Sequence, residues 1–136
     1  MIFLNILFFL TAKFNVAYIE SKSTIRQASE KLYHNSYATI PVLDEDGHFV
    51  RVVSEGDIFR YMMDHQTHDI SLIGHKPVMA LDNERIFTAI RHDANIEDLL
   101  DLVEKQNFVP VVDDRDVFIG IVTRRAVLSY LKNKLK

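Results

Sequence analysis

The sequence predicts an α/β (α+β) protein made of two tandem β-α-β-β-α units, related by a pseudo-twofold axis. Three observations predict it. The chain has 136 residues, 48% hydrophobic and 26% charged, with four Gly and three Pro. That composition suits one compact domain or two half-size units sharing a core, and it excludes a disordered or collagen-like chain. The chain also repeats itself: Ile40-Pro41-Val42-Leu43-Asp44 aligns with Val109-Pro110-Val111-Val112-Asp113 at an offset of 69. Finally, helical and strand periodicities follow one another in the same order in both copies.

The offset of 69 also pairs Phe49 with Phe118, Val53 with Val122, Ser54 with Thr123, Ile58 with Val127 and Tyr61 with Tyr130. Upstream it becomes 71, pairing Thr24 with Asn95, Ile25 with Ile96, Ala28 with Leu99 and Leu32 with Val103. Two extra residues near Tyr37–Thr39 account for the change.

Taken in order, Met1–Leu10 is apolar but far shorter than the roughly 20 residues of a spanning helix. Asn5 interrupts it and no Lys or Arg precedes it, so it reads as a segment buried against the fold rather than a signal or tether. Val16–Ile19 is a short strand candidate. Thr24-Ile25-Arg26-Gln27 has the form of a capping box opening a helix, with Ile25, Ala28 and Leu32 at helical spacing. Strands at Thr39–Leu43 and Phe49–Ser54 flank the turn Asp44-Glu45-Asp46-Gly47. A second helix runs from Glu55 to about His65.

Residues 66–79, punctuated by Gly74 and Pro77, read as a linker. The second copy repeats the pattern with a strand at Ile86–Ile90 and a helix carrying Ile96, Leu99, Leu100 and Val103. Strands follow at Phe108–Val112 and Val117–Thr123, then a helix from Arg124 to about Leu135. The expected organisation is a first repeat with the N-terminal segment (1–65), a linker (66–79) and a second repeat (80–136).

Zero cysteines exclude disulfides, thiolate zinc sites and cysteine nucleophiles. The net charge of −3 recruits no nucleic acid, although Arg124–Lys136 carries five basic residues and no acidic one. His65 and His68 sit one helical turn apart without a persuasive third ligand, and Asp113, Asp114 and Asp116 lack the spacing and closing Glu of a calcium loop. No phosphate-binding glycine motif and no nucleophile elbow occurs. With no catalytic constellation and no metal set, an enzyme is not expected.

Two motifs remain. Ser54-Glu55-Gly56-Asp57 is a capping box in form. The same geometry also suits a ligand: Ser54 and the free N–H groups of a helix start can take a phosphate, and an ionised Asp57 can accept both hydroxyls of a ribose. In the second copy Thr123-Arg124-Arg125-Ala126 keeps the hydroxyl and loses the carboxylate. Arg124 and Arg125 are forked donors for phosphate oxygens, or else a solvated helix start. Cations are unfavourable at a helix N-terminus, which favours a purpose for them.

The tandem unit, its Pro-Val-x-Asp hairpin and the strand ending in Ser/Thr-x-x-Asp resemble the CBS-domain pair, or Bateman module. The resemblance runs from about Asn5 to Lys134 and looks most like the small stand-alone proteins of Firmicutes. It implies an adenosine-type ligand such as AMP, ADP, ATP, S-adenosylmethionine or cyclic di-AMP, bound between the repeats, with Asp57 on the ribose. It places the adenine slot at Tyr37, Ala38, Ile40 and Pro41 in the first copy, and at Phe108, Val109 and Pro110 in the second. Thr123-Arg124-Arg125 is similar to stand-alone members that bind cyclic di-AMP. The family usually has Gly where this chain has Arg51, whereas Gly120 is retained; Arg51 either crowds the first cleft or contributes a phosphate contact.

The resemblance further implies a cytoplasmic regulatory protein with no cofactor beyond its nucleotide ligand. It would form a homodimer through faces such as Ile58–Met63 and signal to an unidentified protein partner, without nucleic acid or membrane. A ligand-free dimerisation or docking scaffold is the alternative, and an enzyme or DNA regulator missing its other domain a third.

Overall fold

The structure, a computed structural model, describes residues 4–83 and 86–136. The expected N-terminal segment therefore lies outside the described residues for Met1–Phe3. The described residues form seven strands and four α-helices: β1 (Thr11–Ala12), β2 (Ile19–Glu20), α1 (Ile25–Asn35), β3 (Thr39–Leu43), β4 (Phe49–Ser54), α2 (Glu55–Asp64), β5 (Ile90–Arg91), α3 (Ile96–Lys105), β6 (Phe108–Val112), β7 (Phe118–Thr123) and α4 (Arg124–Lys134). Contacts divide the chain into two compact units, Ala17–Ile86 and Met1–Val16 together with Phe87–Lys136.

The first unit holds the sheet β2-β3-β4, with β2 parallel and β4 antiparallel to β3. The predicted capping box opens α1: the Gln27 N–H donates to Thr24 Oγ1 at 3.2 Å, and the Thr24 N–H donates to Gln27 Oε1 at 2.9 Å. Ile25, Ala28 and Leu32 then face a core with Ile40, Val42, Val53 and Ile58. The two extra residues fall at the end of α1, which is one residue longer than α3 and closes on Ser36 in the left-handed region, φ 54°. They thus precede the Tyr37–Thr39 position expected from the alignment.

The stretch 66–79 is not a free linker. The Arg26 N–H donates to the Gly74 carbonyl, the Ile25 N–H to Lys76 and the Val78 N–H to Ser23. Ile73, Val78 and Leu81 are buried in the first unit's core, each contributing about 1.5–3 kcal/mol by burial.

The second unit repeats the topology and adds a strand, giving the order β1-β7-β6-β5. β1 pairs antiparallel with β7, Thr11 opposite Ile121 and Ala12 opposite Gly120. The N-terminal segment, expected with the first repeat, packs here instead: Ile6 and Phe9 join Leu99, Val103, Val109, Val111 and Val122 in this core. Phe8, Phe9 and Tyr130 of α4 form three edge-to-face ring pairs, with centroids 5.1–5.4 Å apart. Apolar burial decides this grouping, with Ile6 1% and Phe9 8% exposed.

The internal repeat extends to irregularities. The register shifts between Val42 and Leu43 in one sheet and between Val111 and Val112 in the other, 69 residues apart. Each bulge leaves one residue unpaired and re-aims the next side chain; the residues that follow are Arg51 and Gly120.

Candidate functional site

In the first unit α2 starts where Ser54 leaves β4. The Asp57 N–H donates to Ser54 Oγ at 3.0 Å, and the Ser54 N–H donates to Asp57 Oδ2 at 2.9 Å. The Glu55 N–H donates to the Ala38 carbonyl at 2.9 Å. Of the donors that open this helix, only the Gly56 N–H has no bond among the described residues. The capping box is therefore formed, and it absorbs most of the groups a phosphate would need.

Arg51 stands over this site. Its side chain is 8% exposed and that of Asp57 6%, and Nη2 lies 3.7 Å from Asp57 Oδ2. Nε donates to the Val52 carbonyl at 3.2 Å, Nη1 to Leu81 at 2.6 Å and Nη2 to Asp82 at 3.4 Å. Burial pulls the Arg51 guanidinium below its ordinary value, and the charges of Asp57 and Asp82 oppose that pull. A buried cation of this kind persists only with partners on every branch. All three nitrogens of Arg51 have one.

The structure brings Tyr37 and Ala38 next to the helix start, because Thr39 pairs with Ser54; both are exposed. Ile40 and Pro41 are buried, and Ile40 lies in the core. In the second unit Val109 and Pro110 are buried too, and Phe108 packs against Phe87 with ring centroids 4.9 Å apart. The side chains of Ile40 and Val109 fill the two cores. Alternation in a strand buried on its core face leaves a residue no second orientation.

At the start of α4 the Ala126 N–H donates to Thr123 Oγ1 at 3.1 Å and the Arg124 N–H to the Asn107 carbonyl at 2.9 Å. Arg124 is half-buried and turned back: Nε donates to the Val103 carbonyl at 2.6 Å and Nη2 to Glu104 at 3.4 Å. It ties α4 to the end of α3 and neutralises that helix's negative end. Arg125 is exposed, and no hydrogen bond or ion pair engages it among the described residues. It lines an open groove of about 530 Å³ with Asn107, Thr123, Arg124, Leu128, Ser129 and Lys132.

Sequence reasoning missed Gln106, which occupies the position of Tyr37. It is buried, its Oε1 accepts from the Thr88 N–H, and its Nε2 donates to the Thr88 and Phe108 carbonyls, each at 3.0 Å. A polar residue directly after an amphipathic helix is the only signal in the sequence. Metal chemistry finds little here. His65 stacks on Tyr61 at 4.0 Å and ties Nδ1 to the Tyr61 carbonyl. Asp44, Asp46 and His48 cluster within 4.8 Å, but Asp44 is engaged by the backbone of its own turn.

A family model described as CBS domain matches residues 12–64 and 77–133. A curated relative, an uncharacterised protein of Methanocaldococcus jannaschii, is 29% identical over 71% of this chain and 74% of its own. Among solved structures, the Listeria monocytogenes CbpB protein in complex with c-di-AMP is 25% identical with a TM-score of 0.84, covering 96% of each chain. CBSX2 in complex with AMP is 27% identical with a TM-score of 0.75, covering 97% of this chain and 98% of that one.

Proposed function

The chain belongs to the CBS-domain family, and on that premise we propose that it is a non-catalytic regulatory module for an adenine nucleotide: AMP, ADP, ATP or cyclic di-AMP. Members of this family are generally regulatory rather than catalytic. The observation that carries the reading is the unpartnered Arg125 beside the groove that Thr123, Ser129 and Lys132 also line. Arg125 supplies a fork for phosphate oxygens, and Lys132, seven residues on along the same helix, joins Arg124 and Arg125 as a third cation of the same groove. Ala126 offers no carboxylate to a ribose, so recognition weighs on the phosphates. The nucleotide-bound relatives support the ligand class.

Regulation follows from differential binding: a ligand that prefers one arrangement of a homodimer or partner complex shifts the population toward it. Among the described residues no helix is long and apolar enough to cross a membrane; a cytoplasmic location is part of the proposal.

The test is a thermal-shift panel with AMP, ADP, ATP, S-adenosylmethionine and cyclic di-AMP. A ligand at a hundred times its Kd adds about 2.7 kcal/mol, equivalent to a shift of about 10 °C at this size. Arg125→Ala should weaken a phosphate-rich ligand more than adenosine, and equal losses would remove the phosphate role. If no nucleotide shifts the melt, the ligand-free scaffold replaces this reading.

A further inference from the structure

We infer that Arg51 is a built-in occupant of the first copy's ligand half-site, so that the chain carries one adenine-nucleotide site rather than two. The inference rests on the nucleotide-binding reading above and deepens it by giving each copy a different role.

Four observations converge. Arg51 is buried, each of its nitrogens bonds to a carbonyl, and two of those carbonyls belong to Leu81 and Asp82, some thirty positions along the chain. Its Nη2 lies 3.7 Å from the carboxylate of Asp57, the one group in this copy suited to a ribose. The same Asp57 oxygen already accepts from the Ser54 N–H. The corresponding position of the second copy is Gly120, which places no side chain near the start of α4.

These contacts decide between crowding and phosphate binding. A phosphate reaching Arg51 would have to enter a buried site where each guanidinium nitrogen already bonds to a carbonyl, and would meet the negative charges of Asp57 and Asp82. An arginine that grips a ligand aims its fork outward, whereas Arg51 is buried with a carbonyl already on each of its three nitrogens. A ribose seeking both oxygens of Asp57 meets a buried carboxylate whose Oδ2 is already shared by a cation and a backbone N–H. The guanidinium satisfies internally the charge that a ligand would otherwise satisfy from outside.

The test is the stoichiometry of AMP binding by isothermal titration calorimetry on the full chain. The wild type is expected to bind one AMP per chain. Arg51→Gly, which installs the residue of the second copy, is expected to bind two, and Arg51→Gly with Asp57→Asn to return to one. Circular dichroism melts establish that the variants fold. Where Arg51→Gly does not, Arg51→Gln keeps a donor for the Leu81 carbonyl, carries no charge, and is expected to raise the count to two.

A wild type that binds two AMP, or a folded Arg51 variant that still binds one, overturns the occupancy of the half-site while leaving nucleotide binding intact. A wild type that binds none beside an Arg51→Gly protein that binds one, lost again with Asp57→Asn, overturns the groove at α4 and supports the role of Arg51. No binding by any of these proteins overturns both.

Discussion

The two copies differ most at one strand position, the residue that follows the bulge in β4 and in β7. In the second unit Gly120 adopts φ +155°, and a Cβ there would run into the Thr11 carbonyl. The missing side chain is what lets β1 approach and pair. In the first unit Arg51 holds that position, β4 is an edge strand among the described residues, and the covering chain at Leu81–Asp82 is reached by a guanidinium instead. One unit closes its sheet with backbone pairing and the other with a side chain. The choice propagates to the helix start beside it, where Asp57 is neutralised in one copy and Arg125 is left open in the other.

The sharpest way to break this comparison is Asp57→Ala. It leaves the buried Arg51 without its nearer counter-ion, with the charge of Asp82 alone remaining, and removes half of a capping box. The loss expected in urea denaturation is about 3–5 kcal/mol for the orphaned charge, with about 1 kcal/mol more for the cap. A loss below 1 kcal/mol would mean that the carbonyls alone satisfy the guanidinium. Gly120→Ala tests the other unit. The added methyl must push β1 away from β7, costing about 1–3 kcal/mol, and amide exchange at Thr11 and Ala12 should accelerate. Unchanged exchange would show that β1 does not depend on the glycine.

Much of this architecture is legible in the residues. Thr39–Leu43, Phe49–Ser54 and Phe108–Val112 form strands over the spans their periodicity predicts, and the Thr24 and Ser54 boxes form as their spacing requires. Such signals are local, so a single sequence carries them. What stayed hidden is the long-range accounting. Nothing near Arg51 in sequence indicates that its acceptors lie at Leu81 and Asp82. Nothing near Gln106 indicates that its amide clamps Thr88. The segment 66–79 looks like a linker because its Gly, Pro and His mask three residues, Ile73, Val78 and Leu81 of the adjoining turn, whose burial is decided by the sheet they cover. In the candidate site, Ser54, Thr123 and their helix starts were legible. The division of labour between Arg124 and Arg125 was not, since it depends on which guanidinium finds the carbonyls at the end of α3.

A milder perturbation asks whether the second copy can be made to resemble the first at its helix start. Ala126→Asp restores an acid at the third position of α4, where it can accept from the Thr123 N–H and face the helix dipole. The expected effect is a gain of about 0.5–1 kcal/mol, read from the urea midpoint. It should also weaken phosphate-rich ligands relative to adenosine, because the new carboxylate adds a negative charge beside the groove that Thr123 and Arg125 line. A loss of stability would show that this helix start has no room for the box that Ser54 and Asp57 build in the first copy.

The smallest expected effect is on the two hairpin turns, where the copies are most alike. Asp44 accepts from the Asp46 and His48 N–H groups, and Asp113 from those of Arg115 and Val117. The backbone bonds from His48 and from Val117 are the leading causes that hold these carboxyls below the ordinary carboxylate value. A carboxyl lowered in the folded state binds protons less readily than it does unfolded. Its contribution is therefore complete above about pH 4, the unfolded range, and is lost as the pH falls through the lower folded value. Asp44→Asn and Asp113→Asn each keep an acceptor for the turn while removing the proton linkage. Each should flatten the fall of the melting temperature below pH 4 and leave it little changed at pH 7. Asp44→Asn should flatten it more, because the His48 ring also bonds to Asp44, at 3.1 Å, whereas Asp113 feels the charges of Arg115 and His92 without a side-chain hydrogen bond among the described residues. Equal slopes for the two variants would show that the backbone alone sets the acid response, and that the turns, unlike the helix starts, behave as true copies.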